Sequence, residues 1–310
     1  MENTNKFIEF IITKKCTYNC SYCSKVHPQL CRFDEASIEV IDGFYRFLDN
    51  LEHDFEISIT GGEAILHPHF FEIIEQVKKR GFKVNLFTNL SFKIETYQKI
   101  FDLLGDNLNR FDVGFHINQI QNFNLMLEKL EIFLKNKPKN TKTDFFIPLL
   151  DVDAKKENKI DKIVRVAKRN SINYRFQEIH SLAKFKKEYS DKYLSNKFKV
   201  KSFAKFCFAG CESAVIYEDG SMYRCHSSRF LKSNYLGNVC DDSAKLINSA
   251  VVCSNICCSC YKHQAYNQLC VEKDEKESYK NLFFDMINLP KMIIENKQLF
   301  VAKIKQFFNF

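Results

Sequence analysis

The sequence predicts an α/β fold, in which a partial (β/α)6 TIM-type barrel is followed by a small cysteine-rich domain. Six short apolar runs have the length and composition of strands, and amphipathic helical patterns lie between them. Nine of the thirteen cysteines fall between Cys207 and Cys270. Because strands and helices alternate, right-handed βαβ units and a parallel sheet are expected.

The predicted strands are almost continuously apolar, which indicates strands that are covered on both faces. They comprise residues 7–13, 55–60, 83–88, 111–116, 144–150 and 172–177. Six repeats in about 185 residues are too few for a closed eight-stranded barrel of about 250 residues. An open, incomplete barrel fits better, and its active site is expected at the carboxyl ends of the strands.

The helical patterns comprise residues 35–52, 69–80, 93–104, 120–135 and 155–169. In the first of them, Ile38, Ile41 and Tyr45 recur at three- and four-residue steps, as one face of a helix does. Gly105 is placed to end the third helix.

Composition and charge exclude several classes of protein. No apolar run reaches the ~18 residues that span a bilayer, and the start "MENTNKF" has no hydrophobic export core, so a cytoplasmic protein is expected. In a reducing compartment, thirteen cysteines indicate metal binding or catalysis rather than disulfides. The net charge of +8 is spread along the chain without a basic stripe, which disfavours nucleic-acid binding.

Three segments are expected. Residues 1–190 form the barrel, and 200–275 form a small domain organised by metal rather than by a large core. Residues 279–310 form a helical tail broken at Pro290. Its apolar stripes favour packing on the barrel, and binding to a membrane surface is the alternative.

The stretch "CTYNCSYC" places Cys16, Cys20 and Cys23 on one loop after the first strand. Thiolates are the ligands of iron–sulfur clusters, and three of them on a four-iron cluster leave one iron open for another molecule. A zinc site is the alternative. Zinc needs a fourth ligand, which Cys31 or His27 could supply.

This cysteine spacing, with Tyr22 just before the last cysteine, resembles the radical S-adenosylmethionine (radical SAM) superfamily. The resemblance implies that S-adenosylmethionine binds the open iron of a 4Fe–4S cluster and that Tyr22 packs near the adenine. "ITGGEAILHP" after the second strand resembles the Gly-Gly-Glu of that family, which holds the methionyl amine. Gly61, Gly62 and Glu63 are therefore expected to bind the cofactor, with the glycines permitting close backbone approach.

Two further strand ends carry polar candidates. Asn89 matches a position that lines the nucleoside side of the pocket in the family, although Leu90 stands where relatives often have Gly. His116 ends the fourth strand, where it could reach the ribose or the substrate; a structural histidine is an equal alternative.

The cysteine-rich segment resembles the SPASM/twitch domains that follow radical SAM barrels. Asp219-Gly220 predicts a hairpin that brings Cys207 and Cys225 together, and "YLGNV" at 235–239 contains the family's "LGN". With Cys257 and Cys260 these cysteines make four ligands for one auxiliary 4Fe–4S cluster. Five cysteines remain and leave a second auxiliary cluster possible: Cys211, Cys240, Cys253, Cys258 and Cys270. A structural zinc ribbon is the other alternative for this segment.

The short layout resembles the 2-deoxy-scyllo-inosamine dehydrogenases, which oxidise a secondary alcohol. It implies hydrogen abstraction by a 5′-deoxyadenosyl radical and net oxidation of a small polar substrate, with a flavodoxin or ferredoxin as electron donor. Such an oxidation needs a base, for which Arg224, His226 and His116 are candidates by position. A peptide-modifying radical enzyme and a non-catalytic iron–sulfur or zinc module remain alternatives.

Overall fold

The computed structural model of the protein describes residues 6–20, 23, 33–149, 154–178, 200–201, 206–230, 233–252, 257–258 and 270–271. Six strands alternate with five helices in its first part. The strands are β1 (Lys6–Thr13), β2 (Phe55–Gly61), β3 (Lys83–Thr88), β4 (Leu108–Gly114), β5 (Asp144–Leu149) and β6 (Asn173–Glu178). The helices are α1 (Ile38–Asp49), α2 (Phe70–Lys79), α3 (Ile94–Leu104), α4 (Phe123–Asn136) and α5 (Ala154–Arg169).

Shorter elements follow this alternation. They are β7 (Val200–Lys201), β8 (Phe206–Cys207), β9 (Ser213–Ile216), β10 (Ser221–Tyr223), α6 (His226–Phe230), β11 (Tyr235–Asn238), β12 (Val251–Val252), β13 (Cys257–Cys258) and β14 (Cys270–Val271). None of the described helices combines the length and apolar character that crossing a membrane requires.

The predicted partial barrel is confirmed. Strands β1 to β6 lie side by side in chain order, and every neighbouring pair is parallel. In the described part of the chain, β6 and β11 end the sheet, so the barrel is open. Gly105 has a positive φ of 52° and ends α3, as the sequence predicts.

The sheet continues beyond the six predicted strands. β9 lies parallel to β1 on the edge opposite β2, with Phe7 opposite Ser213 and Phe10 opposite Ile216. β9 and β10 form the predicted hairpin around Asp219-Gly220, and β11 pairs with β10. The segment that carries Cys225 is thereby attached to the first strand of the barrel.

Strand β1 shows how the sequence divides the two faces of the sheet. Ile8, Phe10 and Ile12 are fully buried, and Phe10 contacts Phe44 of α1 with ring centroids 4.3 Å apart. Each such side chain contributes about 2 kcal/mol by leaving water. The alternate residue Glu9 faces the barrel interior, as do Ile11 and Thr13.

Polar side chains fill the amino-terminal half of the interior. Arg110 lies 2.9 Å from Asp144 and 3.3 Å from Asp112. Asn85 donates a 2.8 Å hydrogen bond to Glu56. These groups form hydrogen bonds and ion pairs with one another and fill the amino-terminal end of the barrel. The open space lies at the opposite end, at the carboxyl ends of the strands.

Candidate functional site

The cysteine loop leaves the carboxyl end of β1, where the sequence predicts a reactive site. Cys20 is buried, whereas Cys16 and Cys23 are half-buried. The backbone NH of Cys23 donates to the carbonyl of Cys20 at 3.1 Å, and the NH of Tyr18 donates to Cys16 Sγ at 3.4 Å. The loop therefore turns tightly around its cysteines.

Gly61 and Gly62 pack directly against the backbone that enters this loop. A Cβ on Gly61 would lie 2.2 Å from the carbonyl oxygen of Thr13, and one on Gly62 would lie 2.3 Å from that of Lys15. The NH of Gly62 also donates to Thr13 O at 2.7 Å. The close approach that the glycines allow is thus made, in this structure, by the chain's own cysteine loop.

Glu63 lies beneath the loop and is 1% exposed. Its NH donates to Lys15 O at 2.8 Å, and its Oε2 accepts a 2.8 Å hydrogen bond from the NH of Asn89. Its Oε1 is buried without a hydrogen-bond partner among the described residues. Burial raises the pKa of Glu63 to about 7.

Asn89 joins the loop after β3 to the cysteine loop. Its Nδ2 lies 3.5 Å from Cys16 Sγ and 3.0 Å from Thr17 Oγ1. The next residue, Leu90, has a φ of 60°, the conformation that favours glycine, and its side chain is 2% exposed. Leu90 therefore adopts the left-handed conformation that glycine adopts most readily.

A cavity of about 250 Å³ opens at this end of the barrel. Cys23, Gly61, Gly62 and Asn89 line one part of it, and His116 also lines it. The ring centroid of His116 lies 6.0 Å from that of Tyr18, and burial lowers the pKa of the imidazole to about 4. His116 is therefore neutral near pH 7.

A polar wall lies on the hairpin side of the same cavity, and it consists of Glu9, Thr60, Tyr217 and His226. Glu9 Oε1 accepts from Thr60 Oγ1 at 2.9 Å, and Glu9 Oε2 lies 3.3 Å from His226 Nε2. The other ring nitrogen of His226, Nδ1, lies 2.9 Å from the hydroxyl of Tyr217.

Sequence reasoning named His226 but missed its partners in the polar wall. The signal for Glu9 was present, because a carboxylate within an otherwise apolar strand is unusual. No local pattern connects Glu9 to residues 217 and 226, since the pairing of β1 with β9 brings them together. Arg224, another base candidate, is 8% exposed, and its Nε donates to Ala209 O at 2.7 Å.

The cysteines after the barrel are described in part. Cys207 is buried against Ala209, and Cys225 packs against this pair, as the predicted hairpin requires. Along the backbone, Cys207 lies opposite Cys270, and Cys257 lies opposite Lys201. Several predicted positions lie outside the described residues: Tyr22, Cys260, the alternative zinc ligands His27 and Cys31, and the tail at 279–310.

The residues present fit the cluster that the sequence predicts. Three thiol-bearing residues lie on one loop, and one of them, Cys23, lines the cavity. The buried Oε1 of Glu63 lies next to that loop without a hydrogen-bond partner among the described residues. Within the described residues, no three Cys, His, Asp or Glu side chains converge on a single metal ion. Thiolates that bind different irons of one cluster lie farther apart than the ligands of one zinc ion.

Comparison with known families agrees with this site. Residues 10–131 match the family described as the radical SAM superfamily. The matched residues include strands β2 to β4 and the loop that carries Cys16, Cys20 and Cys23, so this part of the chain is similar to radical SAM domains.

Two curated relatives match this domain. A tungsten-containing aldehyde ferredoxin oxidoreductase cofactor-modifying protein of Pyrococcus furiosus is 30% identical over 112 residues, which covers 35% of this chain and 30% of that protein. An S-adenosylmethionine-dependent nucleotide dehydratase of Selenomonas ruminantium is 32% identical over 111 residues, which covers 32% of this chain and 38% of that protein. The chain thus spans about a third of the length of these relatives.

Two solved structures, both of anSMEcpe, share the fold over more of the chain. Histidine-tagged anSMEcpe with bound AdoMet is 18% identical, with a TM-score of 0.57 over 93% of this chain and 98% of that chain. Native anSMEcpe with bound AdoMet and the peptide Cp18Cys is 15% identical, with a TM-score of 0.53 over 94% and 99%. BtrN in complex with AdoMet and 2-DOIA is 13% identical, with a TM-score of 0.47 over 78% and 81%.

Proposed function

We propose that this chain uses a 5′-deoxyadenosyl radical to abstract hydrogen from a small polar substrate, a sugar- or cyclitol-like alcohol, and oxidises it. One observation carries the proposal: a single cavity is lined both by the radical SAM motifs and by the polar wall of Glu9, Thr60, Tyr217 and His226. A substrate in this cavity would meet the radical on one side and hydrogen-bonding groups on the other.

The radical SAM side is assigned to residues of three motifs. Cys16, Cys20 and Cys23 hold the cluster. Gly61, Gly62, Glu63, Asn89 and Tyr22 are the proposed S-adenosylmethionine residues. When bound, the cluster and this cosubstrate supply the 5′-deoxyadenosyl radical, and the radical chemistry belongs to them rather than to the protein. The chain's own contribution is to orient the reactants and exclude water.

The polar wall suits an alcohol substrate. Oxidation of a secondary alcohol removes one hydrogen atom from carbon, one proton from oxygen and one electron. A carboxylate or an imidazole side chain can accept such a proton, and Glu9 and His226 lie 3.3 Å apart on this wall.

The acceptor of the electron is assigned to the cysteine-rich segment. We propose that Cys207, Cys225, Cys257 and Cys260 hold one auxiliary 4Fe–4S cluster. The packing of Cys225 against Cys207 supports two of these ligands. His226 of the cavity directly follows Cys225, so the proposed acceptor lies next to the polar wall. A flavodoxin or ferredoxin is the proposed donor to the barrel cluster, and a cytoplasmic location is proposed with it.

The second candidate is a peptide-modifying radical enzyme. The shared fold with the peptide-bound anSMEcpe structure is the observation that favours it. A non-catalytic iron–sulfur or zinc module is the third candidate. It differs from both enzymes because it would not cleave S-adenosylmethionine.

The decisive experiment starts with anaerobically reconstituted protein. With dithionite and S-adenosylmethionine, we expect the wild-type protein to release 5′-deoxyadenosine. Replacing Cys16, Cys20 and Cys23 by Ala is expected to abolish this release and to remove about four irons. Release from the triple variant would refute the cluster assignment. No release from wild-type protein with intact clusters would favour the non-catalytic module.

Substrate class is tested by deuterium transfer. Cyclitols and sugars deuterated at their carbinol carbons, and deuterated peptides, are incubated separately with the reconstituted protein. Deuterium in 5′-deoxyadenosine from a cyclitol or sugar supports the proposal, whereas deuterium from peptides alone supports the second candidate. Replacing Cys257 and Cys260 by Ser is expected to leave 5′-deoxyadenosine release intact and abolish the oxidised product.

A further inference from the structure

Asn89 lies close enough to Cys16 to donate a hydrogen bond to the sulfur of this predicted cluster ligand. Its Nδ2 lies 3.5 Å from Cys16 Sγ, within the range of an N–H···S hydrogen bond, and 3.0 Å from Thr17 Oγ1. An amide NH2 group has two hydrogens, so it can donate to both atoms at once. The same Cys16 Sγ accepts from the NH of Tyr18 at 3.4 Å.

The orientation of the Asn89 amide follows from its neighbours. Its Oδ1 accepts a 3.0 Å hydrogen bond from the backbone NH of Ser91. If the amide were flipped, Nδ2 would face this NH and two donors would oppose each other. The oxygen therefore faces Ser91, and the NH2 group faces Cys16.

The backbone around Asn89 is held on several sides, so that this contact is preorganised. The NH of Asn89 donates to Glu63 Oε2 at 2.8 Å, and the NH of Leu90 donates to Thr88 Oγ1 at 3.1 Å. From α4, Lys129 Nζ donates to the carbonyl oxygen of Phe92 at 2.9 Å. Asn89 itself is 6% exposed, so little water competes for its amide.

We propose that Asn89 is a positioning residue that donates an N–H···S hydrogen bond to the cluster thiolate of Cys16 and raises the reduction potential of the barrel cluster. Reduction adds negative charge to a cluster and its sulfurs, so a donor to one sulfur stabilises the reduced state more than the oxidised state. This inference rests on the proposed function, because it needs the cluster at Cys16, Cys20 and Cys23.

A purely structural role for Asn89 makes a different prediction. The amide also bonds Thr17 and Ser91, so its loss could loosen the loop without acting on the cluster. In that case, unfolding free energy or iron content would change, and the potential of the cluster that remains would not. The midpoint potential therefore separates the two roles.

The test uses full-length protein in which Cys257 and Cys260 are replaced by Ser, so that the barrel cluster gives the signal. Asn89→Asp keeps the shape and Oδ1 but replaces the donor by an acceptor, and Asn89→Leu removes both polar atoms. Thr17→Val is the matched control, because it removes the other acceptor of Nδ2 and leaves the Cys16 contact. Redox titration followed by electron paramagnetic resonance gives the midpoint potential.

Both Asn89 variants are expected to have a lower potential, with Asp lower than Leu because of its charge, and Thr17→Val is expected to match the parent. Equal potentials at full iron content would overturn the inference and leave the proposed function standing. A parent protein that assembles no iron–sulfur cluster at Cys16, Cys20 and Cys23 would overturn both.

A second measurement needs no substitution at Asn89. Protein in which Cys257 and Cys260 are replaced by Ser, so that the barrel cluster again gives the signal, is labelled with ¹⁵N in asparagine side chains only, and its reduced cluster is studied by pulsed electron paramagnetic resonance. A ¹⁵N coupling is expected, because the hydrogen bond carries spin density from Cys16 Sγ to Nδ2 of Asn89. Absence of this coupling in the reduced cluster would also overturn the inference.

Discussion

The glycine pair at the end of β2 has a defined steric role. Gly62→Ala would place a Cβ 2.3 Å from Lys15 O and 2.6 Å from Lys14 O, so the cysteine loop would have to move. We expect a loss of unfolding free energy of about 2 kcal/mol or more, and a lower iron content after reconstitution. Chemical denaturation and iron analysis measure the two effects.

Gly105→Ala is the control for backbone strain alone. Gly105 has a φ of 52°, and no atom lies within 4 Å of the position a Cβ would take. We expect a loss of about 1–3 kcal/mol with unchanged iron content. An iron content of Gly62→Ala as high as that of Gly105→Ala would contradict the close contact with the cysteine loop.

Glu63 predicts an unusual dependence of stability on pH in the cluster-free protein. Burial raises the pKa of Glu63 from 4.5 to about 7, so the folded state holds this proton more tightly than the unfolded state does. The protonated Glu63 carboxyl therefore makes its full contribution to the free energy of unfolding below pH 4.5, and this contribution is lost as the pH rises towards 7. The loss is on the order of 3 kcal/mol.

The measurement is urea denaturation at pH 5 and pH 8. Glu63→Gln is expected to remove most of the difference between the two, because a neutral amide replaces the protonated carboxyl. Glu95→Gln, at an exposed position of α3, should retain the wild-type difference. Equal pH dependence in wild type and Glu63→Gln would show that Glu63 does not bind this proton.

At the residue scale, the sequence predicts where the candidate groups lie better than it predicts what they touch. Cys16, Cys20 and Cys23 follow β1 as expected, and Gly61-Gly62 follow the core of β2. A glycine pair signals close approach, but no local pattern says whether a ligand or the chain itself approaches. The same holds for Asn89, whose contact with Cys16 depends on the turn at Leu90.

At the element scale, apolar patterns predict the positions of the strands well, except that the bounds of the fourth strand are shifted. The sequence predicts the fourth strand at 111–116, whereas β4 spans Leu108–Gly114. Its early residues include Asn109 and Arg110, whose polar side chains belong to the interior network of the barrel. Where a strand begins with polar residues that face the barrel interior, its start lies outside the apolar run that predicts the strand.

The hairpin of β9 and β10 depends on a buried ion pair. Arg229 of α6 lies 3.0 Å from Asp219 and 3.5 Å from Glu218, and its side chain is 4% exposed. Arg229→Met would leave these carboxylates without their cation, so we expect a loss of roughly 3 kcal/mol. Arg46→Met is the control, because the Arg46–Asp242 pair is exposed to solvent and should contribute much less to stability.

Thermal and urea unfolding of both variants measure this difference. A loss for Arg229→Met no larger than that for Arg46→Met would contradict the importance of the buried pair. The hairpin itself is predictable from Asp219-Gly220, but its attachment to β1 is not, because the paired residues are about two hundred positions apart.

At the scale of the whole molecule, α1 packs directly on the segment after β11. A Cβ on Gly43 would lie 2.4 Å from Val239 O. Alanine favours a helix by about 1 kcal/mol over glycine, so Gly43→Ala would stabilise an isolated α1. In the whole chain we expect the opposite, a net loss of stability, because Val239 would be displaced.

The measurement is again the unfolding free energy, with Asp42→Ala as the control on an exposed position of the same helix. Stabilisation by Gly43→Ala would show that residue 239 does not rest on α1 in solution. The partial barrel is predictable from the order of its strands and helices, whereas this contact is not, since it requires the path of the chain after β11.

The placement of β1 between β2 and β9 has a consequence for biosynthesis. β1 is made before the other described strands and is an interior strand of the finished sheet, yet one of its edges stays unpaired until residue 213 has been made. At about 5–20 residues per second, that interval lasts on the order of ten seconds or more. An unpaired edge on a strand as apolar as β1 is a template for misassembly, so nascent chains shorter than about 220 residues should depend most on chaperones.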